Sequence, residues 1–124
     1  MSTGGLIEDY EETAREWAAS QGTPARANPL LDHLQAIAKD VRENAAGRAL
    51  ILRLLDDHSA GVRLMAASDA LLFAPERAVR VLEQLQQGFG AEAISAEWTL
   101  RLHMEGTLNL DLVPPKGPDD KPRP

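Results

Sequence analysis

The sequence predicts an all-α domain of six helices, folded as about three helical hairpins stacked side by side and followed by a short extended C-terminal segment. Three observations predict it. Apolar residues recur three and four positions apart along most of the chain, the spacing of one helix face. Clusters rich in Gly, Pro, Asn, Asp and Ser cut these periodic stretches into helix-length pieces, with no convincing strand pattern between them. The stretch LLDDHSAGVRLMAASDALLFAP, Leu54 to Pro75, joins an apolar helix end, an acidic turn, a Val-Arg pair and an Ala-rich second helix. That order suits a hairpin that stacks on copies of itself.

The first helix is expected near Leu6 to Ser20, with Ile7, Tyr10, Ala14, Trp17 and Ala18 on one face. Its early acids, Glu8, Asp9, Glu11 and Glu12, suit the positive end of a helix dipole. Gly22 and Pro24 end it. Asn28 and Pro29 read as N-cap and first turn of the second helix, in which Leu30, Leu34, Ile37 and Val41 share a face. After a joint at Asn44 to Gly47, Leu50, Ile51, Leu54 and Leu55 line the third.

Asp57 to Gly61 form a polar turn, and the fourth helix should run from about Gly61 to Leu72. Val62, Met65, Ala66 and Leu72 lie on one flank of it, Leu64, Ala67 and Leu71 on the other, so it should be sandwiched between neighbours. Pro75 opens the fifth helix, which turns Ala78, Val81, Leu82 and Leu85 inward and Glu76, Arg77, Arg80, Glu83 and Gln87 to water. Gly88 and Gly90 break it. The sixth, about Ala91 to His103, is expected to bury Ile94, Trp98 and Leu102, with Leu100 and Met104 on a second side.

Offset by about 29 residues, helices three and four overlay five and six, and helices one and two make a looser third pair. Three pairs is the minimum at which such an array buries a continuous core. Leu108, Leu110 and Leu112 then alternate with Asn109 and Asp111, a pattern that could lay three leucines over the end of the array. The expected organisation is one domain over 1–112 and a Pro-rich mobile tail over 113–124.

At 124 residues the chain can bury roughly two-thirds of its unfolded surface. Without cysteine it has neither a disulfide nor a thiolate site, and it tolerates a reducing compartment. No apolar run approaches the roughly 20 residues of a membrane span, and the acidic start does not read as a signal peptide, so a cytoplasmic location is expected. Thirteen Lys and Arg stand against nineteen Asp and Glu, a formal charge of -6. The cations are dispersed, which argues against nucleic acid as a partner, whereas negative charge attracts basic proteins.

Asp57 to Leu72 resembles a HEAT repeat: a turn Asp precedes Val62-Arg63, then come the paired alanines Ala66-Ala67 and a leucine. The span Trp17 to Leu110 is similar to a small bacterial HEAT-like family of unknown function, and such families are suspected of supplying toxin immunity proteins. The resemblance implies a right-handed α-α superhelix whose second helices line a concave, partner-facing side. It also implies structural roles for Asp57, Val62, Arg63 and Ala66, with Asp57 and Arg63 bridging neighbouring units. Asp69 stands where such a repeat carries a small apolar residue. Its carboxylate must either face a groove as a partner contact or pair internally with a cation such as Arg77 or Arg101.

Other candidates have a structural counterpart. Trp17 and Trp98 could anchor an interface but lie on apolar stripes, so core packing is preferred. The acids at Glu8, Asp9, Glu11, Glu12, Asp32, Asp56 and Glu97 could face a basic partner, or simply be solvated helix faces. His33, His58 and His103 fall on separate elements without metal-ligand spacing. Ser59, Ser68 and Ser95 lack a nucleophile-elbow setting. Gly88-Phe89-Gly90 is a helix joint rather than a phosphate loop, and the P-x-x-P match at Pro115 to Pro118 belongs to the tail.

These readings converge on a non-enzymatic protein without cofactor or metal. It should bind one protein partner, foremost a basic toxin domain neutralised by direct contact, with Asp69, Glu97, Arg101 and Asp32 as the partner-binding residues. The alternatives are a HEAT-like scaffold or regulatory subunit and, less favoured on charge, a HEAT-like DNA base-repair enzyme needing a cationic groove.

Overall fold

A computed structural model describes residues 3–20 and 22–105, and among them every regular element is a helix. In chain order these are α1 Thr3–Ala19, α2 Pro24–Arg42, α3 Ala45–Leu54, α4 Ala60–Ala70, α5 Pro75–Gln86 and α6 Gly90–Met104. The leucine segment at 108–112, the domain boundary at 112 and the tail with its P-x-x-P match lie outside the described residues.

Successive helices pack on one another, and α4 is the hub, touching α1, α2, α3, α5 and α6. Its position follows from its sequence, since Gly61, Val62, Leu64, Met65, Ala66, Ala67, Asp69 and Ala70 leave almost no face that prefers water. The core continues through Tyr10, Ala14 and Trp17 of α1, Leu34 and Val41 of α2, Leu50, Ile51 and Leu54 of α3, and Ala78, Leu82 and Leu85 of α5.

The helix ends are set by local chemistry, and several differ from expectation. α2 begins at Pro24, which occupies its first turn, so Asn28 and Pro29 lie inside the helix. A proline at the start costs nothing because that N–H has no helical partner anyway. α1 begins at Thr3, which leaves Glu8, Asp9, Glu11 and Glu12 beyond its first turn, where the dipole contributes little. Two of them serve as pairing groups: Glu11 meets Arg15 at 3.0 Å and Arg53 at 3.6 Å, and Asp9 accepts from Thr13 and lies 2.7 Å from His33. Asn44 caps α3 by accepting from the amides of Ala46 and Gly47. Ser59 caps α4 by accepting from Val62. α4 stops at Ala70, so Leu72 lies beyond it and is half exposed.

Two glycines mark where helices close on each other. A Cβ on Gly61 would lie 2.6 Å from Cβ of Ala18, and one on Gly47 would lie 2.1 Å from the Val41 carbonyl oxygen. The start of α4 thus rests directly on the end of α1, and the start of α3 on the end of α2.

The largest difference concerns α6. Ile94 is 70% exposed and Trp98 54%, and Met104 also faces water. Ala96 and Leu100 are buried instead, flanked by half-buried Ala93 and His103. α6 therefore packs on α5 and α4 through the face of Ala96 and Leu100 and leaves Ile94, Trp98 and Met104 outside.

Candidate functional site

Asp69 is buried, 5% exposed, among the core side chains of α4. The Tyr10 hydroxyl of α1 donates to one of its oxygens, and Arg42 at the end of α2 pairs with the other at 3.4 Å. The cation is therefore Arg42 rather than Arg77 or Arg101. Arg77 lies on α5 beside Asp56 and the Leu52 carbonyl, and Arg101 lies on α6 beside Glu97. Tyr10, Arg42 and Asp69 form a buried polar cluster that fastens α1 and α2 onto α4. Burial pushes the Tyr10 hydroxyl well above its ordinary pKa, and the Asp69 charge and hydrogen bond push the same way. The sequence held a signal for this cluster: a Tyr on a fully buried stripe needs an acceptor for its hydroxyl, and Asp69 is the acid on the most apolar helix.

One side of Asp69 lines a small pocket of about 140 Å³ between α2 and α4, otherwise walled by Leu31, Leu34, Gln35, Ala38, Met65 and Ser68. A largely apolar space of that size takes a single side chain or small apolar group. Ser68 is occupied locally, donating to the Leu64 carbonyl.

Asp57 and Arg63 do not pair with each other. Asp57 accepts two bonds from Arg15 of α1, at 2.9 and 3.3 Å, and one from the Ser59 amide. The Arg15 guanidinium holds the Asp57 carboxyl below the usual carboxylate range, with the Ser59 amide acting in the same direction. This two-pronged bridge ties the α3–α4 turn to α1, and Arg15 was its unrecognised partner. Arg63 points instead into a groove between α4 and α5. Val62 and Ala66 are buried.

Glu97 and Arg101 are both exposed on α6 and pair across one turn at 3.5 Å. The Arg101 guanidinium also lies over the Trp98 ring, 5.8 Å from its centroid. Next to Trp98 and one turn before it stands Ile94, so one solvent-facing stripe carries an aromatic anchor, an aliphatic side chain and a charged pair. Its border is acidic: Glu83 of α5, Glu97 and Glu105 line a groove of about 380 Å³ that also takes in Leu100, Arg101 and Met104. Trp17, by contrast, is 9% exposed and belongs to the core. The structure thus separates the two tryptophans that sequence periodicity treated alike.

Asp32 is exposed on α2, apart from the α6 stripe. Among the described residues no group of His, Cys, Asp and Glu is arranged to hold a metal ion, and no helix is long and apolar enough to cross a membrane. His33 faces Asp9, His58 lies 3.8 Å from Asp57, and His103 borders a groove with Arg80 and Glu83. Comparison of the chain with protein-family models, with curated protein sequences and with solved structures gave no match.

Proposed function

We propose that this protein is a non-catalytic binding module whose helical hairpins stack in the HEAT manner, and that it captures one basic protein domain on the outer face of α6. The observation that carries the reading is Trp98, a large aromatic side chain 54% exposed beside Ile94 on α6. Leaving such a ring in water forgoes its burial energy, and half-open aromatics flanked by charge are typical anchors of protein interfaces. Glu83, Glu97 and Glu105 supply a negative border that would steer a cationic surface in, while Trp98 and Ile94, once desolvated, would slow its release. The stacking is supported by the placement of the second helices, since α4 touches both α2 and α6.

Within this scheme Asp69 positions rather than contacts. It keeps α2 and α4 in register, and the small pocket between them is a second place where a partner side chain could lodge. Neutralisation of a toxin is the form of this activity that the acidic border favours, because occluding an active site needs only a rigid surface and preset charge.

The test is affinity capture from the native cells with wild-type, Trp98→Ala and Ile94→Asp baits, followed by titration of the captured protein. Loss of the anchor should weaken binding on the order of 30-fold or more, with the melting temperature nearly unchanged. Glu97→Lys should slow association and flatten its salt dependence. If the captured protein arrests growth when expressed alone and the wild-type chain restores it, the partner is a toxin; a harmless partner makes the chain a regulatory or scaffold subunit. Equal binding by wild-type, Trp98→Ala and Ile94→Asp proteins would remove α6 from the interface.

A further inference from the structure

Between α4 and α5, three arginines line one groove. Arg63 of α4 and Arg77 and Arg80 of α5 line a cavity of about 270 Å³ together with Gln84, floored by Leu55 and Val81. Three of the chain's thirteen cationic side chains stand in this one groove, although the chain as a whole carries -6. Neutralisation within it is poor. Asp56 is the acid at the site, and it reaches Arg77 at 3.7 Å while its own side chain is 81% exposed. The remaining contact of Arg77 is a long one, 3.5 Å to the Leu52 carbonyl oxygen. Arg63 and Arg80 form no ion pair among the described residues, and Arg63 Nε is a buried donor without an acceptor.

Each of these features has a cost. Like charges gathered at one site repel, and a buried N–H without an acceptor loses a hydrogen bond that water would have given it. A single occupant removes both costs: an anion with oxygens on several sides. A carboxylate presents two oxygens and saturates one guanidinium fork, whereas a phosphate group presents three or four and can be shared among three arginines. The volume is several times the roughly 30 Å³ that a water occupies, which leaves space for a phosphate group and part of whatever carries it.

We infer that the groove formed by Arg63, Arg77, Arg80 and Gln84 is a binding site for a phosphate group, either free or as a monoester. Arg77 and Arg80 grip its outer oxygens, Arg63 offers the buried Nε at the inner end, and Gln84 adds an uncharged donor. None of Ile94, Glu97, Trp98 and Arg101 lines the site, so it is distinct from the interface proposed above.

The experiment uses the full chain. Inorganic phosphate is titrated by calorimetry against sodium chloride at matched ionic strength, with Arg77→Gln, Arg80→Gln and Arg63→Lys variants and with Arg101→Gln as an exposed arginine outside the site. Saturable binding of phosphate is expected, weakened about 10-fold or more by Arg77→Gln or Arg80→Gln and unaffected by Arg101→Gln. Arg63→Lys keeps the charge but not the Nε donor, and weaker binding by that variant assigns the inner end. Circular dichroism melting of each variant separates lost binding from lost folding. A parallel titration with a short phosphoserine peptide distinguishes the source: tighter binding than free phosphate points to a protein-borne phosphate, equal or weaker binding to a free one. Absence of saturable phosphate binding in the wild type, or equal loss in Arg101→Gln, overturns the assignment.

Discussion

Helices α4 and α6 are built from similar material, alanines interspersed with leucine, a methionine and a few polar residues, yet they end in opposite environments. α4 is enclosed by five other helices, whereas α6 packs on α5 and α4 and leaves Ile94, Trp98 and Met104 in water. Neither helix is strongly amphipathic, and this is what makes their fates diverge. In a helix that is apolar nearly all round, residue pattern states that burial is available but not which side will receive a neighbour. Position in the array decides: α4 lies inside it, α6 at the end of the described chain. α5 shows the contrary case, because its one apolar stripe leaves a single way to pack, and Ala78, Leu82 and Leu85 are buried as its spacing predicts.

The sharpest way to break this contrast is to remove the charge at the centre of α4. Asp69→Ala would leave Arg42 buried and deprive the Tyr10 hydroxyl of its acceptor, and truncating one member of a buried pair typically costs about 3–5 kcal/mol. Denaturant unfolding should register that loss. Glu97→Ala, which removes an exposed pair on α6, should change stability by less than about 0.5 kcal/mol. Similar losses for the two substitutions would mean that Asp69 is not the fastening that its burial makes it.

Next in size is the close approach of α4 to α1. Gly61→Ala would drive a methyl group to 2.6 Å from Cβ of Ala18 and 3.0 Å from its Cα, so a helix must move rather than a flexible side chain. A cost of about 1–3 kcal/mol is expected, measured as a lower denaturant midpoint. Gly90→Ala, at the start of α6 with nothing closer than 3.6 Å, should do less through packing, although its positive φ adds some strain of its own.

The pH dependence tests both ends of the same frame. Asp57 has its folded pKa lowered by Arg15, so the unfolded chain binds its proton more readily. The stabilising contribution is complete above the unfolded value of 3.8 and is lost as pH falls below it toward the folded pKa. Tyr10 has its folded pKa raised, so its contribution is complete below 10.0 and is lost as pH climbs beyond that value. Unfolding midpoints followed against pH should therefore lose their acid-side dependence in part in Asp57→Asn and their alkaline fall in part in Tyr10→Phe. Unchanged profiles in both variants would contradict the two bridges.

Much of the architecture was legible because helices announce themselves through spacing. Six helices, the joint at Asn44, the cap at Ser59 and the Pro75 start follow from local rules. What escaped was pairing across distance. The resemblance gives Asp57 a bridging role but names no partner for it, and its cation is Arg15, 42 residues back. Asp69 was matched with cations that follow it, but Arg42 and Tyr10 both precede it, on helices whose packing angle no local rule gives. Spacing alone turns the wrong face of α6 inward, because Ile94 and Trp98 advertise burial more loudly than Ala96, which with Leu100 forms the face that packs. That error is the one with consequence for function, since it placed Trp98 in the core.

The finest test therefore compares the two tryptophans, where the expected change in stability is smallest and the expected change in signal is large. Trp98→Phe leaves Trp17 as the emitter, 9% exposed among core side chains, and its emission should be blue-shifted and weakly quenched by iodide. Trp17→Phe leaves Trp98, 54% exposed beneath Arg101, and emission should be red-shifted and strongly quenched, while the Trp98→Phe protein melts within a few degrees of wild type. If Trp98 proves as shielded as Trp17 in the full chain at low concentration, the outer stripe of α6 is not the open face that the proposed capture requires. A strongly quenched Trp98 leaves α6 as a standing interface, so the degree of quenching decides whether that face is available to a partner.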